Sequence, residues 1–168
     1  MNLRRPIVGV AAALALAAGV LAWQSMATAE PAPEVSYTLL DGSSGSTTAL
    51  KGKVVLVNFW ATSCVTCVKE MPQIVATYNK FKSRGFETIA VAMSYDPPAY
   101  VSKFAQTRQL PFGVAIDNTG QIAQRFGDVK LTPTTFLIDQ QGRIVKRYVG
   151  EPDFAALHAL VEDLLKKG

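Results

Sequence analysis

Residues Val54 to Phe59 are almost continuously apolar and rich in β-branched side chains, the pattern of a strand buried on both faces of a parallel sheet. Glu87 to Met93 repeats the pattern. Between the two, Cys64 to about Lys82 carries Val68, Met71, Val75, Tyr78 and Phe81 at helical spacing. Strand, helix, strand in this order makes a right-handed crossover unit. Upstream, "VSYTLL" from Val35 reads as a first short strand and "DGSSGSTT" as a loop. Downstream, Pro97-Pro98 opens a helix running to Gln109, Phe112 to Asp117 reads as a strand, and Gly120 to Phe126 as a short helix. "TTFLID" and "RIVKRYV", separated by "QQG", pattern as an antiparallel hairpin at one edge. The last helix spans "DFAALHALVEDLLKK", with Phe154, Leu157, Val161 and Leu164 on one stripe and Asp153 as its N-cap. The class is α/β: one mixed sheet sandwiched between helices, in a single domain over residues 35–168.

The first 34 residues follow a different pattern. Arg4 and Arg5 precede an apolar run from Ile7 to Trp23, and Ala27-Thr28-Ala29 supplies a small-x-small cleavage site. Residues 1–29 therefore read as a signal peptide or an N-terminal membrane anchor, with 7–23 as the possible tether, and 30–34 ("EPAPE") as a linker. Either way the domain is expected outside the cytosol, in the periplasm or its equivalent. Its 168 residues are 49% apolar, ample for one core. The net charge of +4 comes from scattered residues. Beyond the leader only Lys146-Arg147 and Lys166-Lys167 cluster, neither interleaved with aromatics, so a nucleic-acid surface is not expected.

The chemistry centres on the only two cysteines, in "VVLVNFWATSCVTCVKEMPQ". Two thiols with two residues between them suit a metal clamp, a staple or a redox couple. A cross-link closing so short a loop constrains the unfolded chain little, which makes stability a poor reason for it. A zinc site needs four ligands, and His158, on the last helix beside the apolar stripe, is the only histidine. A Cu(I) site built from both thiolates with Met71 or Met93 is an alternative, although both methionines fit core positions. Redox exchange fits the placement best. In open α/β sheets the reactive group sits beyond the carboxyl end of a central strand. Cys64 falls there, at the first turn of a helix, where unpaired N–H groups and the helix dipole favour an anionic sulfur. Cys64 is thus expected as the nucleophile and Cys67, one turn on, as the resolving thiol. Pro72 lacks an N–H, so a kink near Val68 is expected.

"VNFWATSCVTCVKEMP" resembles the active-site segment of the TlpA/ResA-like exported thiol–disulfide oxidoreductases of the thioredoxin superfamily. "LTPTTFLIDQQGRI" resembles that family's second landmark, a loop with a cis proline leading into the edge hairpin. The likeness covers roughly Val35 to Gly168, including the helix and strand (Pro98 to Ile116) that the family inserts. It implies that Thr132-Pro133 packs beside the cysteines and offers backbone to an extended client segment. It also implies that Glu70, in the CxxCxxE pattern, takes the proton of Cys67, against the plainer reading of an exposed helical glutamate. Trp60 and the Thr132-Pro133 loop would line the docking groove. Three positions depart from or mark this branch: Ser63 stands where a tryptophan is usual, Val65-Thr66 lacks a proline, and Asn58 replaces a buried aspartate of cytosolic thioredoxin.

The resemblance implies an enzyme without cofactor or resident metal that reduces disulfides of client proteins, for example in cytochrome c or copper-site maturation. Its electrons would come from a membrane thiol donor. Disulfide formation, with the protein as oxidant, is the alternative within the same chemistry.

Overall fold

The computed structural model describes residues 30–167. Its elements, in chain order, are β1 (Glu30–Pro31), β2 (Ser36–Thr38), β3 (Ser44–Ser46), β4 (Val54–Trp60), α1 (Val65–Phe81), β5 (Phe86–Ala92), α2 (Pro98–Thr107), β6 (Gly113–Ile116), α3 (Gln121–Arg125), β7 (Thr134–Ile138), β8 (Arg143–Val149) and α4 (Phe154–Lys166). The main sheet has the order β1-β8-β7-β4-β5-β6. β4 runs parallel to β5 and antiparallel to β7, and β5 is parallel to β6.

All seven residues of β4 are buried, because both faces of the sheet are covered. Its side chains alternate between two cores, as strand geometry requires. Val54, Leu56 and Trp60 join Met71, Ile74 and Phe81 of α1, Val101 of α2, and Leu157 and Val161 of α4. Val55, Val57 and Phe59 face the other way, toward Tyr37 of β2 and Ile122 and Ala123 of α3. Phe59, Phe126 and Phe136 meet edge to face or tilted in this second core. Burying a large apolar side chain contributes roughly 1.5–3 kcal/mol. A central strand with six such residues is therefore firmly anchored between the two cores.

The chain returns from α1 to β5 through a 3₁₀ turn, Lys82–Arg84, closed by Gly85 at φ +89°. A side chain at that backbone angle is strained, so glycine sets the turn. Asp153 caps α4, accepting from the N–H groups of Ala155 and Ala156.

Three expectations need correction. The stretch "DGSSGSTT" contains a strand: β3 pairs antiparallel with β2, Tyr37 opposite Gly45. The Tyr37 ring lies where a β-carbon at position 45 would be, so the pairing needs glycine and shows no hydrophobic signal. Residues 30–34, expected as a linker, include two that hydrogen-bond to the domain. Ala32 N–H donates to Gly142 O at 2.8 Å and Thr47 Oγ1 donates to Pro33 O at 2.8 Å. The buried stripe of α1 is rotated from the expected one: it runs through Cys67, Glu70, Met71, Ile74, Thr77 and Phe81. Its two polar members are paired, which lets them sit inside. Glu70 meets Asn58, and Thr77 Oγ1 meets His158 Nε2 at 2.8 Å. The leader, residues 1–29, lies outside the described residues.

Candidate active site

β4 ends at Trp60, and four residues later Cys64 stands as the N-cap of α1 in an extended conformation (φ −86°, ψ 105°). The turn between them is closed by Cys64 N–H donating to Ala61 O at 3.1 Å. Cys64 Sγ accepts a hydrogen bond from Cys67 N–H at 3.2 Å, so the sulfur occupies the place of a side-chain cap at the helix start. Cys64 and Cys67 form a disulfide, with Cα atoms 5.2 Å apart. The two sulfurs are unequal in access. Cys64 is half-buried with Val65 beside it 82% exposed, whereas Cys67 is 0% exposed.

Glu70 follows Cys67 by one turn on the inner face of α1 and is itself 0% exposed. It is not the exposed helical glutamate that composition would suggest. Its Oε1 accepts from Asn58 Nδ2 at 3.1 Å, and Asn58 Nδ2 also donates to Thr135 Oγ1 at 3.0 Å. Oε2 has no partner. Burial pushes the Glu70 carboxyl up to about 7, against the hydrogen bond from Asn58, and the charge of Glu151 adds to the rise. At neutral pH this group therefore both holds and releases a proton, the condition a general base requires.

On the opposite side, the loop entering β7 contains a cis Thr132-Pro133 peptide. Because Thr134 is the register partner of Phe59, this loop lies beside the end of β4 that leads to Cys64. It is fixed by Gly150 N–H donating to Pro133 O at 2.8 Å and Thr134 Oγ1 donating to Leu131 O at 2.7 Å. Pro133 is buried and Thr132 half-buried. Trp60 is corrected. Its side chain is 0% exposed and packs on Phe104, 5.0 Å between ring centroids, so it lines no surface groove. As an even-numbered position of β4 it points into the core that α2 covers, with no partner for its indole N–H.

Other candidate ligands lie apart from the cysteines or in the core. His158 packs edge-on to Phe81 and bonds Thr77, and burial together with Lys80 pushes its pKa down. Met71 and Met93 are buried on opposite faces of the sheet. No cluster of three histidine, cysteine or acidic residues that could hold a metal occurs among the described residues. No helix among the described residues is long and apolar enough to cross a membrane.

Residues 27–161 match the family described as redoxin. The chain belongs to the redoxin family. This redoxin is 38% identical over 144 residues to the thiol-disulfide oxidoreductase ResA of Bacillus thuringiensis subsp. konkukian, covering 86% of this chain and 80% of that protein. It is 34% identical over 145 residues to the ResA protein of Bacillus subtilis, covering 86% and 79%. Among solved structures it resembles a thiol:disulfide interchange protein of the thioredoxin family from Chlorobium tepidum, with a TM-score of 0.74 at 30% identity, over 82% of this chain and 97% of that one. With its CxxC pair, this redoxin is a thioredoxin-like thiol–disulfide oxidoreductase.

Sequence reasoning had no means of finding Asp96. Its partner is a threonine 34 residues away, and Asp96 itself lies in neither of the two motifs.

Proposed function

We propose that this redoxin works outside the cytosol and reduces disulfides of client proteins. The observation that carries the exchange chemistry is the inequality of the two sulfurs: one half-buried at a helix start, the other buried one helical turn before Glu70, whose carboxyl burial pushes up to about 7. In the dithiol form, the Cys64 thiolate attacks one sulfur of the client disulfide and expels the other as a thiolate. Cys67 then loses its proton to Glu70 and attacks Cys64 Sγ. The mixed disulfide breaks, the client leaves with both sulfurs reduced, and the Cys64–Cys67 disulfide forms. Two electrons pass to the client. A thiol donor, expected in the membrane, returns two electrons and regenerates the dithiol.

The client would lie as an extended segment along the half-buried Thr132 backbone, a short strand addition. Val65, next to Cys64, and Leu131, next to Thr132, are both exposed and available to such a segment. The apolar run 7–23 behind Arg4 and Arg5 supports export, by a cleaved leader or a retained tether.

Trapping tests the division of labour. Cys67→Ser should accumulate mixed disulfides with clients through Cys64, and Cys64→Ser should not; if both variants trap equally, the roles are misassigned. The reduction potential separates the two directions of the chemistry. A value near thioredoxin's ~−270 mV fits a reductant, and one near ~−120 mV an oxidant.

A further inference from the structure

The turn that delivers Cys64 is held from outside by a residue the exchange reaction does not use. Asp96, 2% exposed, lies between β5 and α2. Both of its carboxyl oxygens are spent on one residue. Oδ2 accepts from Thr62 N–H at 2.6 Å and Oδ1 accepts from Thr62 Oγ1 at 2.6 Å. Thr62 sits inside the turn whose ends are bonded through Ala61 O and Cys64 N–H. Met93 N–H donates to Trp60 O and Asp96 N–H to Met93 O, both at 3.0 Å, so the backbone behind Asp96 is tied to the end of β4. Tyr95, 58% exposed, brings its hydroxyl to 3.4 Å from Thr132 Oγ1, so the same segment also meets the loop across the site.

A role confined to the ends of α2 does not explain this arrangement. The N-cap of α2 is Pro97, and no side chain caps the helix. Asp96 has no salt bridge among the described residues. Burying a carboxyl is costly unless its oxygens are hydrogen-bonded, and Thr62 alone supplies both the N–H and the O–H that do so. Two bonds to one residue fix rotation as well as position. They bear on the segment that sets where the Cys64 sulfur stands.

We propose that Asp96 is a positioning residue for thiol–disulfide exchange: by gripping Thr62 at two points it sets the placement of the Cys64 sulfur at the end of β4. The proposal rests on the reading of Cys64 as nucleophile. An attacking sulfur must lie in line with the disulfide it breaks, and a misplacement of about 1 Å can cost up to roughly 100-fold in rate.

The test uses the full chain, reduced, with dithiobis(nitrobenzoate) as a small disulfide that needs no docking groove. The rate is followed by the released aromatic thiolate across the pH range. Asp96→Ala should slow the reaction about tenfold or more and displace its pH profile. Asp96→Asn should restore most of the rate, since its carbonyl can accept from Thr62 N–H while its amide donates to Thr62 Oγ1. Unchanged kinetics in the alanine variant overturn the proposal. So does an asparagine variant as slow as the alanine one, because then charge and not placement is at work. If Asp96→Ala does not fold, Thr62→Val against Thr62→Ser decides: valine should be slow and serine near wild type, and equal rates overturn the proposal. A wild-type chain that leaves the probe intact overturns the reading of Cys64, and the proposal with it.

Discussion

Replacing Glu70 by glutamine removes one titrating proton from the interior while keeping the side chain's shape and the bond from Asn58 to Oε1. In the folded protein the Glu70 carboxyl is raised from 4.5 to about 7, chiefly by burial. At ~1.4 kcal/mol per pKa unit, that shift amounts to at most about 3 kcal/mol against the ionised form, reduced by whatever screening water at the site supplies. The sign follows from proton counting. Between about 4.5 and about 7 the folded state keeps a proton that the unfolded chain has lost, so stability falls as pH rises through this window. Below the window the penalty is absent, and above it the penalty is complete. Glu70→Gln has no such pH dependence. Urea unfolding of the oxidised proteins should show wild type losing up to about 3 kcal/mol relative to the variant from roughly pH 5 to pH 8. Other carboxyls, such as Asp41 and Glu162 with their lowered pKa values, titrate alike in both proteins and cancel in the difference. A buried amide N–H left without a partner lowers the variant's stability by about 1–3 kcal/mol at every pH, so the slope and not the level is diagnostic. Parallel pH profiles for the two proteins would refute the account of Glu70.

Two further outcomes follow from the same geometry. Asp153→Ala removes the acceptor for Ala155 and Ala156 N–H at the start of α4 and should cost about 1 kcal/mol; a thermal melt should fall by several degrees while the exchange rate stays the same. Gly45→Ala drives a methyl group into the Tyr37 ring and should cost about 1–3 kcal/mol as the hairpin shifts; hydrogen exchange should then rise in β2 and β3 and stay unchanged in β4.

Elements whose signal is hydrophobic were legible in the chain. β4 and β5 have the unbroken apolar runs of doubly covered strands, and α4 has its stripe and its aspartate cap. The spacing of the cysteines left a metal clamp, a staple or a redox couple open, and their place at a helix start beyond a buried strand favoured redox exchange. The failures share a cause: each concerns a polar or small residue whose burial depends on a distant partner. Glu70 and Thr77 belong to the inner face of α1 only because Asn58 and His158 meet them there. A stripe drawn from apolar residues alone was therefore set one position off, through Val68 and Val75. β3 is Ser-Gly-Ser, a strand by virtue of the tyrosine opposite it. Trp60 was expected to line the docking groove with the Thr132-Pro133 loop, whereas the pleat of β4 turns it inward. Asp96 is silent in the sequence because its meaning lies in Thr62, a partner 34 residues away.

The difference between the two sulfurs is most directly measured by alkylating the reduced protein with iodoacetamide across the pH range and mapping each modified peptide. The helix start should make Cys64 react first, with a midpoint below the ~8.5 of a free cysteine, while Cys67 stays protected. If Cys67 is modified first, or if both sulfurs ionise like free cysteine, the inequality on which this account stands is absent.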